Sequence, residues 1–131
     1  VTVLTRDQVL RAVHNCQLHS PDGTARTSDL AQRLGIKGPS ATARVQELAA
    51  AGLVRYAPRL GAVLTEEGER QAQEAFGKLR CIERFLEAVF NLQPEVCGVE
   101  AEHLLRHISA VVMEAITKHV GSCDANRVGG S

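Results

Sequence analysis

The chain has 131 residues, 44% of them apolar, enough for one compact domain or two small units sharing a core without staples. Aromatics are only 3% and Trp is absent, so the core must be Leu, Val, Ile and Ala, which favours helices over a β-sandwich. Net charge is zero, yet residues 1–64 carry eight Lys/Arg against four Asp/Glu and residues 65–131 seven against eleven, a basic front half and an acidic back half that suit a DNA reader attached to something else. An uneven solvated surface is the plain alternative.

In chain order, Thr5 caps a first helix running to about His19, with Val9, Leu10, Val13 and Cys16 on its apolar side. Ser20-Pro21-Asp22-Gly23 reads as a turn. Thr27 or Ser28 caps a short helix whose apolar face is Leu30, Ala31 and Leu34, and Gly35 stops it. Pro39 suits the first turn of the next helix, where its missing N–H costs nothing. Ala41, Val45 and Leu48 fall at i, i+4 and i+7 and are buried there; Ser40, Ala43, Arg44 and Glu47 point outward. Residues 53–57 and 62–64 form a short hairpin around Pro58-Arg59-Leu60-Gly61, with Arg59 at its tip. Thr65 caps a long helix to about Asn91, with Glu66 and Glu67 at its positive dipole end. Pro94 starts another helix to about His107, and Ser109 caps a last one ending near Gly121.

The expected fold is mainly α with a small β-wing: a winged helix-turn-helix over residues 1–64, a three-helix dimerisation and sensor domain over 65–121, and a flexible tail over 122–131. The second helix of the pair presents small and basic residues at its exposed start, which suits a DNA major groove. Lys37, Ser40, Thr42 and Arg44 face the groove or its phosphates in this reading, Pro39 touches a thymine methyl, and Arg59 with Thr27 or Ser28 holds phosphates. The competing reading is a protein-interaction module with the same helices and hairpin. The wide apolar stripe of the long helix asks for a partner surface, and a symmetric homodimer supplies one and matches a palindromic double-stranded DNA operator.

No apolar run is long enough for a membrane and no signal peptide is visible, so the expected location is cytoplasmic. Cys16, Cys81, Cys97 and Cys123 lie far apart without a C-x-x-C, which in that compartment predicts reduced or cofactor-bound thiols. Cys16 is plain packing. Cys81, Cys97 and Cys123 share the back half, where three thiolates with a fourth ligand could bind an iron–sulfur cluster or act as a thiol sensor; three unrelated buried thiols is the alternative. Glu100, His103 and His107 share one helix face at a spacing able to hold a divalent ion, with a solvated face as the alternative. No nucleophile–base set, phosphate loop or H-E-x-x-H occurs, which excludes an enzyme reading.

Across residues 5 to 123 the chain resembles the diphtheria-toxin-repressor and manganese-transport-regulator family. The residues that carry the likeness include Ser28-Asp29-Leu30-Ala31-Gln32-Arg33-Leu34, Gly38-Pro39-Ser40, Val45-Gln46-Glu47-Leu48, Ala51-Gly52-Leu53-Val54, Leu64-Thr65-Glu66-Glu67-Gly68, Glu83-Arg84-Phe85-Leu86, Pro94-Glu95-Val96, Glu100-Ala101-Glu102 and His107-Ile108-Ser109. The resemblance implies a repressor of metal homeostasis with an N-terminal winged helix, a helical dimerisation domain, and an iron or manganese co-repressor near Glu102 that ties helices together. By the same resemblance, Gln8 stands at the helix-one ligand position, Glu83 at an ancillary ligand and Glu102 at a main one, with His103 and His107 nearby. Cys123 is similar to a cysteine that often follows the last helix. The chain departs from the pattern at Leu79 and Gly98, usually histidines, and at Leu105 and Arg106, where Glu and His would complete the main site. A leucine cannot ligate, and an arginine brings a charge that a cation avoids.

Overall fold

The computed structural model describes the backbone of residues 4–130 and the side chains of residues 4–120. The described elements are α1 (Arg6–Leu18), α2 (Thr27–Leu34), α3 (Gly38–Ala50), β1 (Val54–Ala57), β2 (Gly61–Leu64), α4 (Glu66–Phe90), α5 (Pro94–His107) and α6 (Ala110–Gly130). They fall into two compact units, residues 1–75 and 76–131, so α4 begins in the first and ends in the second.

In the first unit α1 opens with a capping box. Thr5 Oγ1 accepts the Gln8 N–H at 3.2 Å, and Gln8 Oε1 accepts the Thr5 N–H at 3.0 Å. The apolar face expected for α1 is buried, with Leu10 and Val13 fully enclosed against Leu30, Val45 and Leu53. The start of α2 differs from expectation. Thr27 is already helical, Arg26 holds the N-cap position, and no side chain caps the helix, because Thr27 and Ser28 lie one and two residues too far along to reach back to the first free N–H groups. Gly35 ends α2 in the left-handed region at φ 69°, as its sequence position requires. Ala41, Val45 and Leu48 anchor α3 from below.

The wing pairs Val54 with Leu64, Arg55 with Val63 and Tyr56 with Ala62 in an antiparallel ladder. It has a third member that periodicity does not reveal: Ala25 exchanges two 2.8 Å hydrogen bonds with Ala62. Gln17 fastens the other end, donating to Gly23 O and accepting from Leu64 N, each at 3.0 Å. Both ties fall on β2, whose outer edge is thereby fastened to the segment around Ala25 and to α1.

In the second unit Ile82, Leu86, Cys97 and Ala101 form a small core, with Leu79, Phe85, Leu92, Leu105, Ile108 and Met113 packed around it. Ser109 caps α6 as expected, accepting the Val112 N–H at 3.2 Å. The helix does not stop at Gly121 but runs on to Gly130. A glycine inside a helix costs about 1 kcal/mol against alanine, too little to end one by itself. Val89, Phe90, Val96, Val99, Val111 and Val112 stay exposed in this unit. Among the described residues no helix is long and apolar enough to cross a membrane.

Candidate nucleic-acid interface and effector region

The exposed entry of α3 brings together most of the residues expected to meet DNA. Lys37 holds its N-cap position, followed by Gly38, Pro39 and Ser40, all exposed, while Thr42 is half-buried on the flank. The buried side of α3 fixes this orientation, since Ala41, Val45 and Leu48 can face only the core. Arg44, one turn further on, is exposed but not idle: its Nη1 donates to Glu47 Oε1 at 3.0 Å. The pair is solvent-exposed on both sides and worth at most about 1 kcal/mol, so a phosphate can displace Glu47 at little cost.

At the first turn of α2, Ser28 is exposed and Thr27 half-buried. Arg59 sits at the hairpin turn, exposed, with φ 75°. Sequence reasoning passed over Arg55, which the wing register turns to solvent on β1. The signal was present in the alternation of Val54, Arg55 and Tyr56, whose buried first member fixes Arg55 as the outward one.

The expected effector residues do not gather in the same way. Gln8 belongs to the first unit, and its side-chain oxygen is engaged in the α1 capping box. Glu83 is half-buried in the second unit, its Oε2 3.4 Å from where a β-carbon on Gly98 would stand. Glu102 is half-buried on α5. His103 and His107 are exposed, and His103 Nδ1 lies 3.9 Å from Glu100 Oε1. Among the described residues no three His, Cys, Asp or Glu side chains converge as a metal ion requires.

Cys81 is half-buried, Cys97 is buried, and Cys123 lies outside the residues whose side chains are described. The Cys97 thiol lies 3.5 Å from Leu92 O, to which it donates. Burial pushes its pKa up, and the carboxylates of Glu87 and Glu83 push the same way, so the thiol is held neutral. Cys16 is raised by burial too, with Arg33 opposing. A neutral thiol is a poor nucleophile. Iodoacetamide at neutral pH is therefore expected to alkylate Cys97 more slowly in the folded chain than in the urea-unfolded chain. Peptide mapping measures both rates, and equal rates would remove the shielding.

The comparisons bear on both halves. Residues 2–62 match the family described as iron dependent repressor, N-terminal DNA binding domain, and residues 65–131 match iron dependent repressor, metal binding and dimerisation domain. The chain belongs to the iron-dependent repressor family. It is 37% identical over 93 residues to transcriptional regulator MntR of Escherichia coli O6:H1, covering 71% of this chain and 59% of that protein. An uncharacterized HTH-type transcriptional regulator of Methanocaldococcus jannaschii is 31% identical over 91 residues, 70% of this chain and 73% of the relative. Among solved structures, a manganese-dependent transcriptional repressor in complex with manganese superposes with TM-score 0.74 at 27% identity, over 89% of this chain and 53% of that one. IdeR of T. acidophilum gives TM-score 0.74 at 20% identity over 92% and 56%, a likeness of fold. The family and the named relatives are transcriptional regulators, which is not an enzyme class.

Membership implies a metal, and the residues of the described second unit do not fit one. Leu79 and Leu105 are spent on the apolar cluster, Gly98 has no side chain, and Arg106 carries a permanent positive charge. The Arg106 Nε is shielded from solvent and has no hydrogen-bond partner among the described residues.

Proposed function

We propose that this chain is a cytoplasmic, operator-binding transcriptional repressor that acts as a homodimer on palindromic double-stranded DNA. The observation that supports it most is the entry of α3, where Lys37, Pro39 and Ser40 stand exposed over a buried anchor of Ala41, Val45 and Leu48. A helix so presented can seat its first turn in the major groove while Arg44, Arg55 and Arg59 reach phosphates. The basic balance of residues 1–64 favours this over the interaction-module reading, which needs no such charge.

The exposed valines of the second unit supply the partner face. Val96, Val99, Val111 and Val112 are apolar groups a monomer gains nothing by showing to water, and a second copy would cover them. Two winged helices related by a two-fold then read two half-sites.

The test is fluorescence anisotropy with a labelled duplex from the DNA upstream of the chain's own gene, together with analytical ultracentrifugation. Saturable binding at two chains per site, resistant to nonspecific competitor DNA, is the expected result. Binding no stronger than to an unrelated duplex would sink the operator reading. A monomer on DNA would sink the dimer.

A further inference from the structure

A divalent ion needs several oxygen, nitrogen or sulfur donors converging within about 2.0 to 2.6 Å. The second unit places hydrocarbon where its family would converge donors. Leu79 on α4 and Leu105 on α5 both pack on the Ile82, Leu86, Cys97 and Ala101 core, so the two helices are joined there by apolar contact. Glu83 on α4 lies over Gly98; of the three α5 carboxylates Glu95 and Glu100 are exposed, and Glu102 is half-buried one turn before Arg106. Arg106 brings a guanidinium, and its Nε lies shielded with no acceptor among the described residues. A second positive charge brought beside it would meet repulsion strengthened by the low local dielectric.

We infer that the α4–α5 apolar joint of Leu79 and Leu105, with Arg106 beside it, replaces the divalent metal in this chain, so that its DNA binding does not depend on Mn²⁺ or Fe²⁺. The inference rests on the operator-binding reading for its functional half and on packing alone for its structural half. The joint is formed when the chain folds and stays formed. Whatever regulates occupancy of the operator is then something other than free divalent metal, or the concentration of the protein itself.

Two readouts on the full chain separate these halves. Anisotropy with the upstream duplex is run in Mn²⁺, in anaerobic Fe²⁺, and in Mg²⁺ at the same concentration, which screens the phosphates equally. The expected result is a Kd that changes less than about threefold between Mg²⁺ and either transition metal, a window set by residual salt effects. Tightening beyond that overturns the inference. The second readout needs no DNA: thermal melting in about 1 mM Mn²⁺ or Fe²⁺ against Mg²⁺, where a site binding the native chain at micromolar Kd would raise the midpoint by several degrees. A shift under about 1 °C is expected, and a shift of several degrees overturns the joint as a metal substitute. If the duplex is not bound under any condition, the operator reading fails, while the melting result still decides whether the chain takes a metal.

Discussion

The triple variant Lys37→Ala, Arg44→Ala, Arg59→Ala is expected to lose about a hundredfold in operator affinity at physiological salt, because each phosphate contact contributes a slope of roughly 0.9 in log K against log salt. All three side chains are exposed in the described structure and none belongs to the core, so the fold should be unaffected. Arg44 must leave Glu47 to reach a phosphate, and the exposed pair is cheap to break. Removing Glu47 instead is expected to tighten binding, since Glu47→Gln frees Arg44 and deletes the negative charge beside it. Anisotropy between 50 and 300 mM salt, values chosen to span roughly one Debye-length halving, gives both affinity and slope. The triple variant should flatten the slope by about 2.7 per half-site. A variant with parental affinity and slope would show that the wing and the α3 entry do not touch DNA.

The second large effect concerns stability. Gly68 sits in the first turn of α4, where an added β-carbon would stand 1.9 Å from Leu53 O and 2.9 Å from its carbonyl carbon. That oxygen is not free to move, since it accepts the Thr65 N–H at 3.0 Å, and Thr65 in turn caps α4 by accepting the Gly68 N–H at 3.1 Å. Gly68→Ala must therefore push α4 away from the segment before the wing or break the Thr65 contact. Overpacking a close contact costs typically 1–3 kcal/mol, and losing a buried hydrogen bond adds to it, so about 3 kcal/mol is expected. Gly77→Ala is the control. Gly77 lies in the same helix with nothing within 4 Å of a built β-carbon, and alanine there should gain about 0.5 to 1 kcal/mol from helix propensity alone. Urea melts of the two variants should move in opposite directions from the parent. A Gly68→Ala midpoint equal to that of the parent would show that the α4 entry is looser than its geometry.

Helices and wing were legible because each announces itself locally. Thr5, Thr65 and Ser109 cap where their spacing says, Gly35 stops α2, and the i, i+4, i+7 apolar run of Ala41, Val45 and Leu48 is buried. These are interactions between residues a few positions apart, so sequence order carries them. The α2 entry was misread for the same reason. Thr27, Ser28 and Arg26 are neighbours, and only the actual φ/ψ of Arg26 decides which of them precedes the first helical residue.

Sequence by itself determined the outline of the first half, a helix pair, a hairpin and exposed basic positions, since the outward face of α3 follows once its inward face is named. It also showed that four expected ligand positions hold Leu79, Gly98, Leu105 and Arg106. Only the tertiary structure decided what those residues do instead. That Leu79 and Leu105 pack on one apolar core, that Glu83 lies over Gly98, that Ala25 joins the wing and that Leu53 O presses on Gly68 are contacts between residues 15 to 37 positions apart. No local rule fixes them, because burial and close approach depend on how whole elements pack, and packing density punishes a misplaced methyl as surely as it rewards a fitting one.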